Sequence, residues 1–204
     1  MLKQNSALKE LQKSIGGLLA VIPLSPGHWT LLSVLLALAG GTAIAFYNSL
    51  GAGLGLFAVA AAFDLIDGAV ARAKNQASEW GGFLDGVADR FVEGIFLISF
   101  MFYPLPVVLI GPEIWIALVV FLGTCMPSFI RAYSDHKGVL SREKALALGG
   151  ICERSERLLI IIAGLAAGML FNMDYFIYGL IAASVLSLTT VLQRFLEIRK
   201  DALQ

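Results

Sequence analysis

Apolar residues run along this chain in six long blocks separated by short polar, glycine- or proline-bearing connections. The blocks lie near residues 29–48, 53–73, 82–103, 113–135, 156–172 and 175–197. Most approach the roughly 20 residues that an α-helix needs to cross a bilayer. Breakers mark the gaps: Pro23 and Pro26 before the first block, Gly51 and Gly53 after it, Pro104, Pro106 and Pro112 before the fourth, Gly149 and Gly150 before the fifth. The pattern predicts an all-α integral membrane protein with six transmembrane helices. Residues 1–15 read differently. Leu2, Leu8, Leu11 and Ile15 recur near helical spacing with lysines between them, which predicts an amphipathic helix lying on the membrane surface. The expected organisation is an amphipathic juxtamembrane segment at 1–22 and one six-helix domain at 23–204.

Composition agrees with the blocks. The chain has 204 residues, 58% hydrophobic and 15% charged, with a mean hydropathy of +0.80. A soluble domain is about a quarter charged, and a chain this short could not hide so much apolar surface in one core. The net charge is zero, so nucleic acid has no electrostatic foothold and is not an expected partner. Cys125 and Cys152 form no close pair and match no metal-ligand spacing. Residues 1–15 lack the apolar core and small-residue cleavage site of a signal peptide, and no repeat or low-complexity tract is present.

The basic residues set the expected orientation. Lys3, Lys9 and Lys13 precede the first block; Arg72, Lys74 and Arg90 flank the second connection. Arg131, Lys137, Arg142, Lys144, Arg154 and Arg157 surround the fourth connection, and Arg194, Arg199 and Lys200 close the chain. These groups hold all 15 Lys and Arg residues, so the other three connections have none. By the positive-inside rule both termini face the cytoplasm.

One window breaks the apolar pattern: "FDLIDGAVARAKNQASEWGGFLDGVADRF", residues 63–91. Asp64 and Asp67 are spaced i, i+3 at the end of the second block. Asp85 and Asp89 are spaced i, i+4 at the start of the third. Each pair occupies one helix face, and a short hairpin lets the two faces meet. Ionised acids inside a membrane are costly and usually functional. Four carboxylates around one point repel unless some protonate or cations fill the site. Oxygen ligands favour Mg²⁺, Mn²⁺ or Ca²⁺, and Mg²⁺ commonly joins one or two carboxylates to substrate phosphates. The cluster therefore predicts a phosphate-bearing substrate. Gly68 and Ala71 leave space for it, Arg72 offers a planar donor, and Gly81 and Gly82 open the mouth of the third block.

The window meets every position of the pattern Asp-x2-Asp-Gly-x2-Ala-Arg-x8-Gly-x3-Asp-x3-Asp, at Asp64, Asp67, Gly68, Ala71, Arg72, Gly81, Asp85 and Asp89. In this the chain resembles the CDP-alcohol phosphotransferase family of integral membrane enzymes. The resemblance implies six membrane helices, a homodimer, a cytoplasm-facing polar cavity, Mg²⁺ or Mn²⁺, and a CDP-lipid donor from which an alcohol displaces CMP. It implies that Asp64, Asp67, Asp85 and Asp89 hold metal, with Asp89 also the general base on the acceptor hydroxyl. Asp64, Asp67, Gly68, Ala71, Arg72, Ser78 and Asp85 would bind the cytidine diphosphate. Direct displacement through a ternary complex is the simplest scheme, and a phospho-enzyme is the alternative.

The acceptor is read from other stretches. Arg131, Arg154, Arg157 and Arg194 suggest an anionic acceptor such as a polyol phosphate, although positive-inside enrichment also places bases in this loop. "PSFIRAYSDHKG" (127–138), "ICERSERL" (151–158) and "LQRF" (192–195) resemble the branch of the family that uses inositol 1-phosphate. That likeness implies an acceptor-phosphate site at Ser128, Arg131, Ser155, Arg157 and Arg194. The branch's second basic residue is replaced by Tyr133, and "SPGHWT" (25–30) lacks the family's asparagine after the proline. Glycerol 3-phosphate is the rival acceptor. From other classes, a divalent-cation transporter would spread acids along a pathway, and a silent scaffold would have no need of four acids.

Overall fold

A computed structural model describes residues 22–203. The surface helix expected at the N-terminus lies outside them. The described residues are helical, with no β-strand among them. They fall into two compact units, one ending at Tyr103 and one beginning at Pro104.

The first unit contains α1 (Pro26–Tyr47), α2 (Leu50–Ala73) and α3 (Glu79–Ser99), the last followed by a 3₁₀ turn at Phe100–Phe102. Pro26 occupies the first turn of α1, where its fixed φ suits the helix and its missing N–H costs nothing. Asn48 ends α1 in the left-handed region at φ 49°, a conformation Asn tolerates better than most residues. Ser78 caps α3 by accepting the Gly81 amide at 3.1 Å. A ladder of edge-on rings joins Phe57 of α2 to Phe96 and Phe100, with centroids 5.0 and 5.3 Å apart. Such offset contacts are the favoured aromatic geometry. Helices α1 and α2 approach closely at glycines. A Cβ on Gly53 would run into the Ile44 side chain and stand 2.9 Å from the Gly40 carbonyl oxygen.

The second unit contains α4 (Pro112–His136), α5 (Arg142–Ala147), α6 (Arg154–Leu170) and α7 (Asp174–Ala202). Helix α4 is not uniform: Val119–Cys125 form a π-helical segment within it. Helices α6 and α7 also meet at glycines, where a Cβ on Gly164 would stand 3.1 Å from the Gly179 Cα. Small residues at such crossings let backbones pack where lipid supplies no hydrophobic drive.

All six predicted blocks are helices. Four of them, α1, α2, α4 and α7, are long and apolar enough to cross a membrane. The other two differ for visible reasons. Helix α3 carries Glu79, Asp85, Asp89, Arg90 and Glu93, and α6 is 17 residues long. The short helix α5 was not among the predicted elements. Its signal is local: Ser141 accepts the Lys144 amide at 3.3 Å ahead of a run of good helix formers.

The glycine crossings give a first test. Gly53→Ala should lower the thermal midpoint of the detergent-solubilised protein by several degrees, reflecting an overpacking cost of roughly 1–3 kcal/mol. Gly55→Ala, where no neighbouring element comes within 4 Å of the added Cβ, should hold it or raise it by a few degrees, since Ala is favoured over Gly in a helix interior by up to about 1 kcal/mol. Equal midpoints would show that the α1–α2 crossing relaxes freely.

Candidate active site

The hairpin between α2 and α3 brings three of the aspartates together. One carboxylate oxygen from each of Asp64, Asp67 and Asp85 lies within 4.8 Å of the others. The i, i+3 spacing stacks Asp64 over Asp67 on α2, and the Ser78-capped start of α3 presents Asp85 to them. Asp67 is buried; Asp64 and Asp85 are half-buried. Asp89 sits one turn further along α3, half-buried, with its Oδ2 3.6 Å from Arg90 Nη1. Three oxygens at this separation form a hard, anionic donor set of the kind that takes Mg²⁺ or Mn²⁺.

The neighbouring motif residues have local duties. A Cβ on Gly68 would lie 3.5 Å from the Arg72 Nη1 atom, so the guanidinium folds back over the glycine. Ala71 is half-buried and Arg72 exposed. Ser78 has its hydroxyl engaged as the α3 cap. Lys74 donates to the carbonyls of Ile22 and Leu24, each at 2.8 Å, and so ties the chain ahead of α1 to the end of α2.

Two residues here escaped the sequence reading. Thr30, buried in the second turn of α1, donates its hydroxyl to Asp67 Oδ2 at 2.6 Å. Its place in "SPGHWT" was noted only for a missing asparagine. Glu93, one turn beyond Asp89, is 3% exposed. The continuing i, i+4 spacing of Asp85, Asp89 and Glu93 was its available signal.

In the second unit, two of the residues expected to hold an acceptor phosphate, Arg131 and Arg194, bind the loop from Leu148 to Glu153. Arg131 Nη2 donates to the Leu148 carbonyl at 2.9 Å. Arg194 is 4% exposed and donates to the carbonyls of Gly149 at 3.2 Å and Pro127 at 2.6 Å. Its Nη2 stands 3.6 Å from Glu153 Oε1. Arg157 is 3% exposed, packed where a Cβ on Gly123 would come within 2.6 Å of its Cδ. Ser128 is half-buried, and the exposed Ser155 donates to Glu156 at 3.2 Å. Gln193 and Thr190 complete the hold on the loop, accepting the amides of Ile151 at 3.1 Å and Cys152 at 2.9 Å. Tyr133 stacks on Phe129 and has Lys137 Nζ 5.5 Å above its ring, so a cation stands beside the position where the likeness expects one.

Residues 24–194 match the model of the CDP-alcohol phosphatidyltransferase family. The chain belongs to this family. Two curated relatives of this CDP-alcohol phosphatidyltransferase are archaetidylinositol phosphate synthases. That of Pyrococcus horikoshii is 33% identical over 95% of this chain and 93% of its own. That of Methanothermobacter thermautotrophicus is 33% identical over 86% and 83%. The crystal structure of Mycobacterium tuberculosis phosphatidylinositol phosphate synthase with CDP-DAG bound superposes with a TM-score of 0.76. It covers 93% of this chain and 94% of that one at 22% identity, which shows a shared fold.

Cys152 offers a probe of the arginine-held loop. It is 1% exposed, and burial pushes its thiol above the usual range, against the opposing pull of Arg157. A raised thiol pKa leaves less thiolate at neutral pH, so alkylation is slow and quickens as pH rises. In a Cys125→Ala background, Thr190→Val leaves the buried Cys152 amide unpaired at a cost of roughly 1–3 kcal/mol. Maleimide labelling of Cys152 at pH 7 should then accelerate about tenfold or more. An unchanged rate would show that the loop does not depend on Thr190.

Proposed function

We propose that this enzyme makes an inositol-containing phospholipid. It transfers a phosphatidyl-type group, diacylglycerol or archaeal ether lipid, from a CDP-lipid to a hydroxyl of inositol 1-phosphate and releases CMP. The observation that carries the reading is the acidic triad of Asp64, Asp67 and Asp85 inside the intact family motif. The inositol phosphate acceptor is supported by the names of the two relatives at 33% identity and by the arginines around the Leu148–Glu153 loop. The CDP-lipid donor is supported by the CDP-DAG of the mycobacterial structure, and the metal by a second mycobacterial structure solved with manganese and citrate.

On this reading Asp64, Asp67 and Asp85 hold the divalent ion, with Asp89 nearby as a further ligand. Bound there, Mg²⁺ or Mn²⁺ supplies charge neutralisation of the diphosphate and of the departing CMP. Arg72, Gly68, Ala71 and Ser78 line the nucleotide side. Ser128, Arg131, Ser155, Arg157 and Arg194 receive the acceptor's phosphate, where arginine's planar fork matches the anion. Asp89 takes the proton of the attacking hydroxyl. The hydroxyl oxygen forms a bond to the lipid-bearing phosphorus as the bond from that phosphorus to the CMP oxygen breaks. All six helices cross the membrane, with both termini and the site on the cytoplasmic side, and two copies pair as a homodimer. The amphipathic segment at 1–22 lies along the surface ahead of the domain at 23–204.

A radiolabel assay in detergent with CDP-lipid, Mg²⁺ and either inositol 1-phosphate or glycerol 3-phosphate tests this. Label should enter lipid with inositol 1-phosphate alone, and Asp89→Asn should lower the rate by about 10²–10⁴. Incorporation with glycerol 3-phosphate alone would keep the triad's role and overturn the acceptor. Release of CMP with neither acceptor would overturn both.

A further inference from the structure

We infer that Thr30 is a positioning residue for the metal site: its hydroxyl fixes the aim of the Asp67 carboxylate. The inference rests on the reading of Asp64, Asp67 and Asp85 as metal ligands. Asp67 is the most buried of the three at 5% exposure, and Thr30 is buried equally. The contact between Thr30 Oγ1 and Asp67 Oδ2, 2.6 Å, falls in the range of a hydrogen bond to an ionised oxygen. The hydroxyl has one proton and two candidate acceptors. The other is the Pro26 carbonyl at 3.3 Å, longer and uncharged, so the carboxylate takes the proton. The interaction joins residues 37 apart in sequence and on different helices, so it is set by packing and not by local spacing.

The donor is itself held in place from both sides. Thr30 is β-branched and stiff at χ1. The adjacent Trp29 packs on Phe63, with ring centroids 5.4 Å apart, which fixes the first turn of α1 against the residue preceding Asp64. On the other side, Lys74 grips the carbonyls of Ile22 and Leu24. A carboxylate that accepts one hydrogen bond on Oδ2 keeps its Oδ1 and its rotamer committed, leaving that face for a cation. Without the hydroxyl, only the Gly68 backbone N–H is left to hold Asp67 against repulsion from Asp85 and Asp89. Partners that orient a metal ligand commonly govern 10–100-fold in metal affinity.

Mn²⁺ titration of the purified full-length protein, followed by electron paramagnetic resonance of the free ion, tests this without turnover. Thr30→Val keeps the shape and removes the hydroxyl; Thr30→Ser keeps the hydroxyl. Wild type and Thr30→Ser should bind within about threefold of one another, and Thr30→Val should bind about 10–100-fold more weakly. Should Thr30→Val fail to fold, Thr30→Ala replaces it with the same expectation. In turnover, Thr30→Val should raise the Mn²⁺ concentration for half-maximal rate and leave the KM for the acceptor unchanged. Wild-type Mn²⁺ affinity in Thr30→Val would overturn the inference and leave the bond as a link between α1 and α2. An Asp85→Asn control separates the two readings. If wild type shows no saturable binding, or Asp85→Asn binds as wild type does, the triad is not the metal site and the inference falls with it.

Discussion

Everything in the first unit depends on keeping carboxylates close together at the end of otherwise apolar helices. Three anionic groups within 4.8 Å repel, and low surrounding polarity magnifies the repulsion. Asp64 and Asp67 lie two to three turns before the end of α2, and Asp85 lies in the second turn of α3, beyond the reach of the terminal partial charges that could ease the repulsion. Polar contacts answer part of this. Thr30 satisfies one oxygen of the most buried acid, while Arg72 folds over Gly68 and Lys74 spends its ammonium on two main-chain carbonyls. A divalent ion held by Asp64, Asp67 and Asp85 would offset their mutual repulsion directly.

The second unit solves a different problem with arginine. The partly buried loop from Leu148 to Glu153 has main-chain groups that need partners. Arg131 and Arg194 donate to the carbonyls at Leu148, Gly149 and Pro127, while Gln193 and Thr190 accept the amides at Ile151 and Cys152. The same guanidiniums that concentrate positive charge therefore also fasten the backbone around it. This explains why bases lie within helices here and not only at the surface, as the positive-inside rule alone would place them.

The chemistry was legible because it is written in short spacings. Asp64 with Asp67 and Asp85 with Asp89 share helix faces by periodicity alone, and the six apolar blocks announce their helices. What the spacings could not show was distance between helices. Asp85 joins the α2 pair while Asp89, one turn on, lies beside Arg90. Thr30 meets Asp67 across 37 residues, a pairing that no local rule encodes. The cap formed by Ser78 was open to inspection, since Ser is a favoured N-cap residue just ahead of a helix start. Helix α5 was hidden because it is too short and too charged to register as an apolar block.

The π-helical segment at Val119–Cys125 changes how α4 must be counted. Its wider turns take up an extra residue within the helix instead of expelling it into a loop. Forcing ordinary α winding on the same number of residues would swing Ser128 and Arg131 by roughly 100° around the axis, since each residue of an α-helix advances by that angle. Gly123, inside the segment, sits where a side chain would collide with Arg157 and Ser187. The winding of this stretch, and not only its composition, thus decides which way the far half of α4 faces. A helix one residue shorter between Pro112 and Met126, wound as plain α-helix, would keep Ser128 and Arg131 near the same face.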